Sequence, residues 1–226
     1  MTVLGAGGRA GRAISEALVS HGCLVTGLVR NDRHHGVLRA LGIRVVTGDA
    51  TVASDVAMAM SGTDAVVNAV TPFSTPPPDL EAFDEGFYEK IIAAISASAS
   101  SARTLRVVTV GLFAMLSLPD GTKVMDDPDR FPAQLRPFAR AHAREAQALR
   151  RSELALDWLV AIPPAGLGDR EVTEGSYRLS EPVMRLEQLT SALGYKQLAG
   201  AVADQILLPT HHRQQVAIIS GVQSPP

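Results

Sequence analysis

The chain has a single cysteine, Cys23, so no disulfide bond can form within it and no cysteine cluster can hold a metal. Cys23 lies in the apolar run CLVTGLV, which predicts a buried and inert thiol. Two adjacent histidine pairs, at positions 34–35 and 211–212, have no carboxylate or cysteine neighbours at metal-binding spacing. We therefore expect no metal site.

An excess of charge of one sign is also missing. The 21 basic and 23 acidic residues give a net charge of −2, and the basic residues are scattered. This pattern argues against direct binding to nucleic acid or to an anionic membrane surface, and favours a small-molecule partner. No apolar run reaches the roughly 18 residues of a membrane span, and no charged segment followed by an apolar one marks a signal peptide. The sequence predicts a cytoplasmic protein.

Short apolar segments alternate with segments of helical periodicity. The strand candidates are 2–4, 24–29, 43–47, 65–70, 105–110, 158–162 and 216–219. The helix candidates between them are 9–22, 34–42, 51–62, 84–98 and 138–154. Strands that alternate with helices pair in parallel through right-handed crossovers, so the predicted class is α/β, with a doubly wound, mostly parallel sheet and helices on both faces.

No repeat or linker divides the chain, which predicts one domain over 1–226 with a small substrate-side region at roughly 163–195. Two long segments, 71–79 and 112–137, follow the fourth and fifth strand candidates. Open α/β sheets bind ligands at the carboxyl ends of their strands. The two segments are therefore candidates for functional lids, and the alternative is irregular surface loop.

The stretch VLGAGGRAGR places Gly5, Gly8 and Gly11 at even spacing after the first strand candidate and at the start of an amphipathic helix. Glycines permit a tight turn, let backbone N–H groups approach a pyrophosphate, and let helix and strand pack closely. The helix N-terminus adds partial positive charge for the phosphates. The pattern favours a Rossmann-type dinucleotide site over a plain turn.

The end of the second strand candidate selects the dinucleotide. An NAD site places a carboxylate there to bind the ribose hydroxyls, whereas this chain has Arg30 in LVRNDR, nineteen positions after Gly11. A guanidinium fits a 2′-phosphate, and Arg33 and Arg9 could add charge. Asp32 is the competing carboxylate. NADP(H) is favoured over NAD(H), with a solvated Arg30 as the alternative.

Six segments occur in an order typical of a known family: VLGAGGRAGR, LVTGLVRN, GIRVVTGDAT, GTDAVVNAV, LDWLVAIPPAGLGD and GSYRL. The chain resembles the atypical short-chain dehydrogenase/reductases, and within them the NAD(P)H-binding, NmrA-like group that includes biliverdin reductase B, a flavin reductase. The resemblance covers roughly residues 1–220. It implies a Rossmann-type NAD(P)-binding fold and an oxidoreductase.

The resemblance also implies which residues contact the cofactor. Those around the pyrophosphate are Gly5, Gly8, Arg9, Ala10 and Gly11. Those around the 2′-phosphate and the adenine are Arg30, Asp49 and Ala50. Those along the nicotinamide and its ribose are Ala69, Val70, Thr71, Pro163, Pro164 and Ala165. Asp49 would bind the adenine amino group, and it is also a candidate N-cap for a helix that starts at Thr51.

Three positions depart from the catalytic pattern of that family. Classical members reduce carbonyls with a Tyr-x-x-x-Lys pair after the fifth strand, where this chain has Phe138 and His142. Gly111 stands where members often have serine, and Ala165 stands where biliverdin reductase B has a histidine. His142 remains as the candidate proton donor or ribose partner, with an exposed helix histidine as the alternative. Ser117, Tyr88 and Tyr177 are expected to be structural.

Two functions follow from these observations. Hydride transfer to a flavin or quinone needs mainly stacking over the nicotinamide, with protons available from water, so a reductase without the Tyr and Lys pair is chemically reasonable. The alternative is a non-catalytic NADP(H) sensor or regulator that acts through a protein partner. An epimerase or dehydratase is disfavoured by the missing pair.

Overall fold

A computed structural model of the chain describes residues 1–72, 80–99, 103–152, 156–168 and 176–221. Within these residues the strands are β1 (Thr2–Leu4), β2 (Thr26–Val29), β3 (Arg44–Thr47), β4 (Ala65–Asn68), β5 (Leu105–Val110), β6 (Leu156–Ile162), β7 (Gly166–Gly168), β8 (Tyr177–Ser180), β9 (Ala192–Gly194) and β10 (Gln214–Ser220). The α-helices are α1 (Arg9–Ser20), α2 (His35–Ala40), α3 (Ala53–Ala59), α4 (Phe87–Ser98), α5 (Arg136–Arg151), α6 (Leu186–Leu189) and α7 (Tyr195–Leu207). None of these helices is long and apolar enough to cross a lipid bilayer.

Eight of the described strands form one sheet in the order β3-β2-β1-β4-β5-β6-β10-β8. All neighbours in it are parallel except β10 and β8, which are antiparallel. A separate parallel ribbon joins β7 to β9. The chain runs outward from β1 to β3, then returns to β4 on the other side of β1. The predicted doubly wound, mostly parallel sheet is confirmed.

Helices cover both faces of this sheet because successive strand residues point to opposite sides. Val3 packs in the cluster with α1, α2 and α7, whereas Leu4 packs in the cluster with α3, α4 and α5. Helix α1 buries Gly11, Ile14, Ser15 and Leu18, a spacing of three and four residues that lines one helical face. Each face of the sheet therefore has its own apolar layer. The carboxyl ends of the central strands lie between the two layers and stay accessible.

The seven strand candidates are all present; 2–4 and 105–110 have the predicted ends, and the other five have shifted ends. Strand β2 begins at Thr26, Leu24 before it is 91% exposed, and β4 ends at Asn68. Cys23 is only partly buried, so the prediction of a buried thiol is corrected. Helix α7 and the elements β7, β8, β9 and α6 were not predicted. They belong to the last third of the chain, which supplies the sheet's antiparallel edge and the small ribbon.

Residues 112–137 form a packed wall. Their backbone makes three single-turn 3-10 helices, at Phe113–Met115, Val124–Asp126 and Ala133–Leu135. Leu116, Val124 and Phe131 are almost fully buried in the cluster with α4 and α5. The segment is therefore anchored in the core at these residues, while residues 119–123, 128–130 and 132–134 are exposed. Part of it is the expected surface loop, and its role as a lid stays a prediction. In the other predicted loop, residues 73–79 lie outside the described residues.

Arg106 ties the sheet to α7 at the amino ends of the strands. Its guanidinium donates to the carbonyl oxygens of Gln205 and His211, both at 3.0 Å, and pairs with Asp157 Oδ2 at 3.0 Å. Burial lowers the pKa of Arg106, and the charge of Asp157 opposes that shift. These contacts lie at the amino ends of the strands, opposite the carboxyl ends that form the candidate site.

Candidate functional site

A cleft runs across the carboxyl ends of the central strands, at the point where the chain reverses direction between β1 and β4. A narrow part of about 110 Å³ lies over β2, and a wider part of about 510 Å³ extends toward β5 and β6. The two parts share lining residues, including Gly7, Ala69 and Thr71, so they are continuous. A cleft at such a crossover point is the usual ligand site of open α/β sheets.

The glycine-rich turn is the floor of this cleft. Gly5 has a φ of +77°, and a Cβ there would lie 2.8 Å from the carbonyl oxygen of Ala69. A Cβ on Gly11 would lie 2.2 Å from the carbonyl oxygen of Gly5. Only glycine fits these two positions, because backbone atoms rather than flexible side chains fill the space. Gly11 does not line the cleft and instead lets α1 pack on the turn.

Gly8 differs from these two glycines. A Cβ on Gly8 would meet only the Gly5 carbonyl oxygen at 3.5 Å, which is ordinary contact, and its φ of −73° suits any residue. Gly8 is the N-cap of α1, and no side chain caps this helix. The first N–H groups of a helix have no partner within it, so the start of α1 offers donors and partial positive charge to the cleft. Arg9 and Ala10 line the wide part beside it.

Positive side chains line the narrow part. Arg30 follows β2 directly, and Asn31, Arg33 and His34 line the same cavity. Asp32 does not line it, although it lies in the same 3-10 turn as Arg33 and His34. The Asn31 side chain caps this turn by accepting from the Arg33 N–H. His34 packs on Gly7, where a Cβ would lie 2.6 Å from its ring. Asp32, the carboxylate predicted to compete with Arg30, is therefore not part of the cleft lining.

Asp49 and Ala50 line the narrow part after β3. Asp49 Oδ1 accepts from the backbone N–H of Thr51 at 2.8 Å and from its hydroxyl at 2.7 Å. Helix α3 begins later, with Val52 as its N-cap, so the expected cap for a helix starting at Thr51 is corrected to a turn. The backbone N–H of Asp49 donates to Asp55 Oδ2. Together with the bonds to Thr51, this contact fixes the position of the Asp49 carboxylate at the rim of the cleft.

The wide part collects the remaining predicted residues. It contains Ala69, Val70, Thr71, Pro163, Pro164 and Ala165. Apolar and aromatic stretches of its wall come from Val110, Leu112, Phe113, Phe138, Leu167 and Tyr195. Arg9, Arg33, His34 and His142 also line it. The Arg9 guanidinium lies 5.5 Å from the centre of the Tyr195 ring. The volume and the lining are those of a site for a small organic molecule.

His142 lies in the wall of the wide part, one helical turn after Phe138, and is 6% exposed. Its ring packs against Tyr88 at 4.0 Å and against the edge of Phe138 at 4.9 Å. Nδ1 lies 3.2 Å from Oε2 of Glu145, which is itself buried. The alternative of an exposed helix histidine is therefore wrong. Tyr88, expected to be structural, is also a wall residue.

Tyr88 stays protonated in this environment. Burial raises the pKa of Tyr88 well above its ordinary value, the charge of Glu145 raises the pKa further, and a hydrogen bond with Thr71 lowers it. The phenol donates to the carbonyl oxygen of Val70 at 3.2 Å. Tyr88 is therefore suited to hold the end of β4 and the ring of His142, and not to act as a base.

The other polar candidates lie elsewhere. Ser117 is not part of the cleft lining and forms bridges with Lys123 and Val183, while the Tyr177 hydroxyl donates to Asp204 and joins β8 to α7. Both have the structural roles that the sequence predicts. In the part of the chain that the structure describes, no group of three or more His, Cys, Asp or Glu side chains is arranged to hold a metal ion.

Gly111 has no room for a side chain. A Cβ there would lie 2.8 Å from Val160 Cγ1 and 2.9 Å from Ile162 Cγ1. A serine at this point would therefore require the Val160 and Ile162 side chains of β6 to shift.

We expect Gly111→Ser to destabilise the protein by about 1–3 kcal/mol, because β6 side chains must shift to admit the Cβ. Thermal unfolding should show a Tm lower by several degrees. Gly168→Ser is the control, since a Cβ at Gly168 meets no atom of the described residues within 4 Å. Equal Tm values for the two variants would show that β6 yields freely and that packing does not exclude the serine.

The comparisons with known proteins agree with this geometry. The NAD(P)H-binding family matches residues 5–206, which is most of the chain. The chain belongs to this family. Its cofactor class is therefore a nicotinamide dinucleotide, and the resemblance to atypical short-chain dehydrogenase/reductases is confirmed. No curated protein sequence matches the chain.

Solved structures share the fold at low sequence identity. A "putative NADH-flavin reductase" from Streptococcus pneumoniae is 24% identical, with 97% of this chain and 98% of that chain covered and a TM-score of 0.78. An anaerobilin reductase from Escherichia coli is 18% identical, covers 100% and 98%, and has a TM-score of 0.67. A wide-type short-chain dehydrogenase/reductase from Veillonella parvula, in complex with NADP, is 15% identical, covers 96% and 92%, and has a TM-score of 0.69.

The residues of the cleft fit such a cofactor. Gly7 and Gly8 line both parts of the cleft without side chains, and a Cβ on Gly7 would meet His34. The uncapped start of α1 faces the same space, Arg30 lines the narrow part, and Arg33 lines both parts. A diphosphate over the glycines, an adenosine in the narrow part and a nicotinamide in the wide part would match this distribution of donors and apolar walls.

Several lining residues were not predicted from the sequence. Gly7, Asn31, His34, Phe113 and Tyr195 line the cleft, and Glu145 contacts His142 from behind it. The one signal available for His34 was its position shortly after the second strand, next to Arg33. No signal marked Tyr195, which begins the unpredicted helix α7.

Proposed function

We propose that the protein is an NADPH-dependent reductase that passes hydride to a small planar acceptor of the flavin or quinone type. The observation that carries this proposal is the wide part of the cleft. It continues the nucleotide groove, has aromatic and apolar walls from Phe113, Phe138 and Tyr195, and has His142 in its wall. The names of the Streptococcus pneumoniae and Escherichia coli proteins, both reductases, support the same reaction class.

The preference for NADPH rests on this chain's own residues. Arg30 and Arg33 line the adenosine end and suit a 2′-phosphate, while Asp32 lies outside the lining. The Streptococcus pneumoniae protein's name specifies NADH, so the neighbours do not decide this point. Around the pyrophosphate the proposal assigns Gly5, Gly8, Arg9, Ala10 and Gly11, with Gly11 acting through helix packing. Around the adenine it assigns Asp49 and Ala50.

At the reacting end, the proposal assigns Ala69, Val70 and Thr71 to the nicotinamide ribose and Pro163, Pro164 and Ala165 to the ring. Residues 163–195 would form the substrate-side region of the single domain. When bound, the reduced nicotinamide supplies a hydride. The aromatic walls would hold the acceptor flat against it and keep water out.

His142 would complete the reduction of an acceptor whose oxygen takes up charge. A quinone that has gained a hydride has gained two electrons and one proton, and it needs one more proton to become a hydroquinone. The protonated ring of His142 would give that proton from Nε2 and regain it from water. For a flavin, water can supply the proton, and His142 would then bind the nicotinamide ribose.

A second candidate is an NADP(H)-responsive regulator without turnover. Two observations favour it: Phe138 stands at the tyrosine position, and Gly111 stands where a serine would press on β6 side chains. A regulator of this kind would need a protein partner. The reductase requires only a small molecule and accounts for the large aromatic cavity, which a sensor does not need.

The test is NADPH fluorescence with the purified protein. We expect tighter binding of NADPH than of NADH, and then oxidation of NADPH that saturates with FMN, riboflavin or a short-chain quinone. Tight binding without oxidation on any acceptor would replace the reductase with the regulator. A lack of binding to either dinucleotide would remove the cofactor site itself.

A further inference from the structure

Glu145 is a buried carboxylate in an otherwise apolar layer. It lies on α5 and is 1% exposed, between the helix and the sheet. Removing a carboxylate from water is costly unless its oxygens find strong partners. Oε1 accepts from Asn68 Nδ2 at 2.9 Å, and Oε2 lies 3.2 Å from His142 Nδ1. Glu145 therefore connects the end of β4 to the ring in the cleft wall.

The backbone sets the direction of this chain of hydrogen bonds. The N–H of Val70 donates to Asn68 Oδ1 at 3.2 Å, so the amide nitrogen of Asn68 faces Glu145. The ionised carboxylate can only accept, and it must accept from both sides. The proton in its contact with His142 therefore belongs to Nδ1, and Nε2 is the ring nitrogen left for a ligand in the cleft.

The ring is also fixed by packing. Tyr88 lies against its face and Phe138 against its edge. The Tyr88 hydroxyl donates to the carbonyl oxygen of Val70, the residue whose N–H starts the hydrogen-bond chain. The Asn68 amide oxygen and the Tyr88 hydroxyl thus both bond to the backbone of Val70, which lines both parts of the cleft. The ring is tied to the strand end along which the nicotinamide ribose is proposed to lie.

We propose that Asn68 and Glu145 are positioning residues that hold His142 in the Nδ1–H tautomer, with Nε2 directed to an acceptor oxygen in the cleft. The catalytic meaning of this arrangement rests on the proposed reductase function, whereas the tautomer itself does not. When Nε2 has given its proton to a quinone oxygen, the ring left behind is the neutral Nδ1–H tautomer, which Glu145 already binds. No rearrangement of the hydrogen bonds is then needed between turnovers.

Glu145→Gln tests the tautomer directly. The Asn68 amide nitrogen would still require an oxygen from residue 145, so the new amide nitrogen would face His142 Nδ1. A donor at that point requires an unprotonated Nδ1, and the neutral ring must change to the Nε2–H tautomer. The two tautomers differ in their side-chain ¹⁵N shifts and in long-range ¹H–¹⁵N correlations. These can be recorded on the protein without cofactor or acceptor, with His142→Gln to assign the signals.

Kinetics with a quinone acceptor provides the second readout. We expect Glu145→Gln to lower kcat about tenfold with KM for NADPH unchanged, because the loss is in proton delivery and not in binding. In the His142→Gln background the same change should add nothing. Glu85→Gln is the matched control. Glu85 pairs with Arg140 and Arg144 on the exposed side of α5, the helix that carries Glu145, and Glu85 does not line the cleft.

The outcomes separate this inference from the proposed function. The Nδ1–H tautomer in the wild type and a switch in Glu145→Gln support the positioning role, whether or not the protein oxidises NADPH. An Nε2–H ring in the wild type, or an unchanged tautomer in the variant, overturns it even if the reductase is active. Wild-type kcat in Glu145→Gln, or equal losses in Glu145→Gln and Glu85→Gln, also overturns it.

Discussion

Replacing Gly8 with valine is expected to abolish the binding of NADPH and NADH alike while the protein stays folded. The backbone at Gly8 suits any residue, and a Cβ there meets only ordinary contact distances, so the turn tolerates the change. The valine methyl groups would instead occupy the space above the uncapped start of α1. We expect Kd to rise by at least about 100-fold, or about 2.8 kcal/mol, in fluorescence titrations.

Gly11→Ala provides the contrast to this variant. Its single methyl group would lie 2.2 Å from the Gly5 carbonyl oxygen, so the turn itself must move. We expect it to lower the free energy of unfolding by about 1–3 kcal/mol and to weaken cofactor binding as a secondary effect. Wild-type affinity in Gly8→Val would show that no phosphate lies over the turn. If Gly8→Val had a Tm as low as that of Gly11→Ala, the loss of dinucleotide binding would come from a destabilised fold.

Arg30→Ala is expected to weaken NADPH binding by about 10- to 100-fold and to leave NADH binding nearly unchanged. The reason is that a charge-assisted hydrogen bond is worth about 1.5–3 kcal/mol, and only NADPH carries the 2′-phosphate to receive it. Arg30 lines the narrow part of the cleft directly after β2. The measurement is the ratio of the two Kd values, in wild type and variant, at one salt concentration.

Arg39→Ala controls for the loss of one positive charge near this end of the molecule. Arg39 lies on α2, is exposed and does not line the cleft. We expect the same NADPH to NADH ratio as in the wild type. If Arg30→Ala weakened the binding of NADPH and NADH equally, Arg30 would act through long-range electrostatic attraction and not through a contact with the 2′-phosphate. If Arg33→Ala alone changed the ratio, the assignment would move to that residue.

The sheet could be predicted from the sequence because each of its parallel strands is a short β-rich run between helical patterns. In the last third, β6 and β10 could be predicted, whereas the elements between them could not. Helix α7 buries eight residues of YKQLAGAVADQIL, including Gln197 and Gln205, and so lacks the polar face that makes periodicity visible. Strands β7 and β9 have three residues each and contain glycine, which makes them weak signals.

The cofactor side of the site was more predictable than the reacting side. Glycines at a fixed spacing and an arginine after a strand are local signals, and their placement in one cleft follows from the topology. The contact between Asn68 and Glu145 joins residues 77 apart in the chain, and nothing local marks either of them. Family resemblance located His142 through the lysine position. Only tertiary packing shows that its ring is buried and bound to a carboxylate.

The wall formed by residues 112–137 also determines how an acceptor enters. Leu116, Val124 and Phe131 belong to the same buried layer as α4 and α5, so the wall cannot swing aside without exposing that layer to water. Exchange of the amide protons of these three buried residues with deuterium is then expected to follow the unfolding of that layer and not the arrival of a ligand. In the proposed reductase, the width between fixed walls would decide which flat molecules reach His142.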